Sequence, residues 1–134
     1  MNEHPDDQNK KSEPTKAELE ILQVLWAHGP STVRFVNDKL NEQREVNYTS
    51  TLKVMQIMAD KGSLKRDESQ MKHVYAAAEG EQNTKDRMLD RFVESVYQGA
   101  TGQLVMQLLG NKKTSAQDLA AIREILDKLE KQKS

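Results

Sequence analysis

The chain has 134 residues, enough for one ordinary domain or a small domain with an appendage, and its 31% charged and 36% apolar residues suit a soluble chain with a modest core. It has no cysteine, which excludes disulfides, thiolate metal sites and cysteine nucleophiles, and no apolar run approaches a membrane span. A net charge of −1 excludes a polycation, and His4, His28 and His73 lie too far apart for metal-ligand spacing, so no metal or cofactor is expected.

Residues 1–14 are polar, carry Pro5 and Pro14, and read as a disordered arm without a signal peptide; a cytoplasmic location is expected. Thr15-Lys-Ala-Glu18 has the form of a capping box opening a first helix, in which Leu19, Leu22, Leu25 and Trp26 form one buried stripe. Gly29-Pro30 ends it, and His28 sits where a cation complements the helix dipole. Ser31 or Thr32 caps a second helix that turns Val33, Val36 and Leu40 inward. A third helix follows from about Thr49 to Lys61. Its apolar residues average onto a Met55–Met58 seam, which leaves Thr49, Lys53, Gln56 and Asp60 outward. Gly62 stops that helix, and Leu64 to Ala77 reads as a short β-hairpin around a polar turn.

The remainder is helical. Leu89, Phe92, Val93 and Val96 mark a fourth helix that stops near Gly99, and Leu104, Val105, Leu108 and Leu109 a fifth ending at Gly110. Ser115 with Asp118 opens a sixth, where Leu119, Ile122, Leu126 and Leu129 repeat like a coiled-coil face. The expected class is α+β, mostly α: a winged helix-turn-helix at 15–78, DNA-binding, then a helical dimerisation region at 82–131 whose interface is formed by these residues of the fifth and sixth helices.

From Asn47 to Tyr75 five cations (Lys53, Lys61, Lys65, Arg66, Lys72) face three anions (Asp60, Asp67, Glu68), a local +2. Thr49, Ser50, Lys53 and Gln56 are either the wet side of a packed helix or groups that enter a major groove, where Gln reads adenine and Lys reads guanine or binds phosphate. Tyr48 is a packing group with its hydroxyl outward or a phosphate contact. Lys65, Arg66, Lys72 and His73 on the hairpin are ordinary surface charges or phosphate contacts. Ser50-Thr-Leu-Lys53 matches Ser-x-x-Lys and Asn47-Tyr-Thr49 a glycosylation sequon, but the partners and context that either needs are missing. No enzyme is expected.

Tyr48-Thr-Ser-Thr-Leu-Lys-Val-Met-Gln-Ile-Met-Ala-Asp-Lys-Gly62 resembles the recognition helix of the BlaI/MecI/CopY penicillinase-repressor family. Thr15 to Trp26 resembles the family's opening helix, Lys72-His-Val-Tyr75 the end of its wing, and Tyr97-Gln-Gly99, Leu104-Val105 and Ser115–Leu126 its dimerisation tail. The resemblance implies a homodimeric repressor that binds double-stranded operator DNA, often at β-lactam-resistance or metal-homeostasis genes, and is released by a membrane metalloprotease-receptor or another antirepressor. Two features depart from the family. Its copper-responsive members carry a cysteine-rich motif that is absent here, and Gln107-Leu108 stands where the penicillinase repressors are cleaved at Asn-Phe. A winged-helix protein-interaction module and a ligand-sensing regulator with a pocket between wing and tail are the alternatives.

Overall fold

The computed structural model describes residues 13–111 and 114–133; most of the expected N-terminal arm lies outside the described residues. The elements run α1 (Lys16–His28), β1 (Ser31–Thr32), α2 (Val33–Asn41), α3 (Tyr48–Lys61), β2 (Leu64–Asp67), β3 (Val74–Ala77), α4 (Glu81–Tyr97), α5 (Thr101–Gly110) and α6 (Ala116–Lys133). They fall into two compact units, one ending at Met88 and the other starting at Leu89.

In the first unit the capping box forms as expected. Glu18 N–H donates to Thr15 Oγ1 at 3.2 Å, and Thr15 N–H donates to Glu18 Oε1 at 3.0 Å. The buried stripe of α1 is Glu18, Ile21, Leu22 and Leu25, with Leu19 and Trp26 only half-buried beside it. Positions i, i+3, i+4 and i+7 define the inward face, and Ile21 completes that set where Leu19 does not. Ile21, Val36, Met55, Met58 and Tyr75 are the centre of the core, which Leu22, Leu25, Val33 and Leu64 extend. Each large apolar side chain removed from water there contributes about 1.5–3 kcal/mol.

Thr32, not Ser31, caps α2, its Oγ1 accepting from Phe35 N–H at 3.1 Å. The two residues also form a third strand that the sequence did not announce: β1 pairs antiparallel with β3 (Ser31 opposite Tyr75, Thr32 opposite Val74), giving the order β1-β3-β2. The extended backbone that a cap requires (φ −79°, ψ 163°) is also strand backbone, so one conformation serves both. Asn47 caps α3, accepting from Ser50 N–H at 2.8 Å, and this starts the helix at Tyr48. At its far end Gly62 has φ +88°, a left-handed exit that favours glycine.

The turn between α2 and α3 is fixed by side chains. Buried Asn37 donates to Thr51 Oγ1 at 2.8 Å and to the Val46 carbonyl at 3.1 Å. Asn41 donates to the Val46 carbonyl at 2.8 Å and accepts from Val46 N–H at 3.1 Å. Both helices are thereby tied to one turn.

In the second unit α4 ends through Gln98 (φ +49°) and Gly99 (φ +84°), and the Tyr97 hydroxyl donates to Gln107 Oε1 at 2.6 Å. Asp118 N–H donates to Ser115 Oγ at 3.0 Å, which caps α6. No residue of α5 or α6 is buried. The expected stripe of α4 divides: Val93 is buried, while Leu89, Phe92 and Val96 are exposed. Helical periodicity places these residues on one face without stating what covers it. Among the described residues no helix is long and apolar enough to cross a membrane.

Candidate nucleic-acid interface

The Met55–Met58 seam is fully buried, and this turns Thr49, Ser50, Lys53 and Gln56 to the surface of α3. Thr51, one position on, is buried under Asn37. Exposed Ile57 interrupts the otherwise polar outward side.

A groove of about 330 Å³ lies between α3 and the hairpin. The helix contributes Tyr48, Leu52 and Gln56, and the hairpin contributes Met71, Lys72 and His73. The structure therefore brings Tyr48, Gln56, Lys72 and His73 together. Lys65 and Arg66 stand elsewhere on the wing, opposite Ala76 and Tyr75 in the β2–β3 register.

The cations differ in their engagement. Lys61 is bound to Glu18 of α1 at 2.8 Å, with the carboxylate buried and the lysine exposed. Arg66 Nε donates to Glu68 at 2.7 Å; the Tyr75 hydroxyl and then the Glu68 carboxylate raise its pKa further above the usual guanidinium value. Lys53, Lys65 and Lys72 make no ion pair among the described residues, so of the five cations between Asn47 and Tyr75 these three lysines are readily available.

Sequence reasoning does not single out Arg34. It lies on α2, borders the groove, and places its guanidinium 4.6 Å from the centre of the Tyr48 ring. Tyr48 is thus a packing partner for Arg34 at the start of α3 with its ring still partly exposed. A lone arginine on a short amphipathic helix carries no signal. Met71 escapes sequence reasoning as well, although a large apolar residue in the middle of a polar turn is a legible oddity; it is fully exposed.

Three helices, the last two joined by a side-chain-locked turn, followed by a β-hairpin beside the last helix, define a winged helix-turn-helix protein. The sequence profile described as "Penicillinase repressor" matches residues 14–128, and the chain belongs to that family of transcription-regulating repressors. It is 22% identical over 120 residues to the methicillin resistance regulatory protein MecI of Mammaliicoccus sciuri, an alignment covering 90% of this chain and 98% of that protein. It is 20% identical over 123 residues to the penicillinase repressor of Staphylococcus aureus, covering 92% and 98%.

Proposed function

We propose that this protein is a homodimeric repressor in which two copies of α3 read two half-sites of a double-stranded operator in the cytoplasm and so block transcription. Lys53 and Gln56, with Thr49 and Ser50, face the bases; Lys65, Lys72 and His73 meet phosphate, joined by Arg66 once it leaves Glu68. Residues 15–78 bind DNA and residues 82–131 pair the protomers. The observation that carries this reading is the groove in which Tyr48, Leu52 and Gln56 of α3 stand beside the wing, with Lys72 and His73 on its walls.

Pairing is supported by the apolar surface of the second unit. Leu108 is 56% exposed, Leu126 50% and Leu129 47%, with Val105 and Leu119 also open and Leu104, Leu109 and Ile122 half-covered. Val105, Leu108, Leu109 and Ile122 line an apolar groove of about 390 Å³ between α5 and α6. An exposed apolar patch of this kind suits a two-fold interface, and joining two small modules multiplies their effective concentration at the operator. A footprint of the protein on the DNA upstream of its own gene tests the function. Protection of two related half-sites is the expected result, and binding without sequence preference would sink it.

A further inference from the structure

Arg34 stands where helix physics by itself would not place a cation. It is the second residue of α2, whose first turn holds no acidic side chain, so its charge meets the positive end of the helix dipole. Asp38 lies one turn further along, at the spacing of a helix ion pair, yet the two make none. The guanidinium is held instead over the Tyr48 ring, 4.6 Å from its centre. That contact is made with a ring face and leaves the N–H fork open to an oxyanion, whose geometry the fork fits.

The groove that Arg34 borders receives Lys72 and His73 from the wing, and among the described residues no carboxylate lines it. Lys72, like Arg34, makes no ion pair among the described residues. Two uncommitted cations thus face one cleft without an opposite charge to answer them. Such an arrangement costs electrostatic energy in the free protein and is relieved by an anion. All of these residues belong to the unit that ends at Met88.

We infer that Arg34 and Lys72 together hold one backbone phosphate of the operator between α2 and the wing, and that Tyr48 is a positioning residue that presents the arginine to it. This contact rests on the operator-binding reading above and adds α2 to the elements that touch DNA. A long side chain already stacked in place has fewer rotamers to surrender when phosphate binds, and the ring supplies that order. A phosphate contact fixes the register of α3 on the duplex and reads no base.

The test uses the full-length protein on a duplex carrying the footprinted site, with single phosphates replaced in turn by neutral methylphosphonates. One position should weaken the parent about tenfold and cause no further loss in Arg34→Ala. Arg34→Ala should also lower the slope of log affinity against log salt by about one per protomer, while Arg34→Lys keeps the slope and binds more weakly. Tyr48→Leu should weaken binding in the parent and have no effect in an Arg34→Ala background, a dependence that a purely structural role would not produce. Tyr48→Phe, which keeps the ring, should restore what Tyr48→Leu loses. Thermal unfolding checks that each variant is folded, and Tyr48→Gln replaces Tyr48→Leu should the latter not fold. Inorganic phosphate at constant ionic strength should not displace the duplex; displacement that disappears in Arg34→Ala would assign the site to a free anion and overturn the backbone contact. An equal loss from Tyr48→Leu in both backgrounds overturns the role of Tyr48. A sequence-selective parent whose methylphosphonate pattern and salt slope are matched by Arg34→Ala overturns the inference while the operator reading stands. A parent that binds an unrelated duplex equally well overturns the operator reading and this inference with it.

Discussion

Glu18 and Lys61 join the two ends of the three-helix segment α1–α3: Glu18 Oε2 accepts from Lys61 Nζ at 2.8 Å while its Oε1 accepts from the Thr15 N–H. One carboxylate thus closes the first turn of α1 and holds the last residue of α3. Burial works to raise its pKa, but the hydrogen bond from Lys61, the one from Thr15 N–H and the Lys61 charge together outweigh it and hold the carboxyl below its ordinary value of 4.5.

A depressed carboxyl pKa gives stability that is complete above the unfolded-state value and is lost as pH falls through the folded one. Thermal unfolding should therefore show the wild type losing stability below about pH 4.5 more steeply than Glu18→Gln. At neutral pH Glu18→Ala should cost about 1–2 kcal/mol, chiefly as a lost cap, because Lys61 is exposed enough to recover its hydration. Parallel acid profiles of wild type and Glu18→Gln would show that the pair contributes nothing.

Asn37→Ala should destabilise the protein by about 1–3 kcal/mol, since it strips the buried Thr51 hydroxyl and the Val46 carbonyl of a donor. Urea unfolding measures this. Operator affinity should fall with it, because the same amide holds α2 against α3.

Lys53→Ala and Gln56→Ala should each weaken operator binding by about 1–3 kcal/mol and relax selectivity at one base position. Both side chains are exposed, so melting temperature should not move. Binding equal to wild type in both variants would show that α3 does not present this face to the bases.

The wing cations should separate by their prior engagement. Lys72→Ala should lower the slope of log affinity against log salt by about one, the release of one condensed counterion. Arg66→Ala should lower it by less, because Arg66 must first leave Glu68, and Glu68→Gln should strengthen binding. Filter binding over a salt series tests the order, and a larger effect at Arg66 than at Lys72 would reverse it.

Leu126→Asp in the full chain should yield a monomer with a folded winged helix and much weaker operator binding. A charge on a surface that must desolvate opposes pairing, while exposed Leu126 contributes little to the fold of a single chain. Sedimentation velocity at micromolar concentration reads the outcome; a persistent dimer would place the interface elsewhere.

Features carried by neighbours in the chain are legible in the amino-acid sequence alone. The Thr15–Glu18 box, the Met55–Met58 seam, the Leu64–Ala77 hairpin and the Ser115 cap each depend on residues a few positions apart, where spacing and backbone geometry determine who meets whom. The outward placement of Lys53 and Gln56 follows from the same periodicity. What joins distant segments was decided only by tertiary packing. Glu18 reaches Lys61, Trp26 reaches the Glu79 carbonyl, Asn37 reaches Thr51 and Arg34 covers Tyr48. A polar residue on an amphipathic helix has many chemically acceptable partners, and the choice among them is made by the crossing of helices that apolar burial drives. The withdrawal of Lys61 from the available charge, and the second role of Ser31-Thr32 as a strand, arise in the same way. Local geometry named the elements, and packing chose their partners.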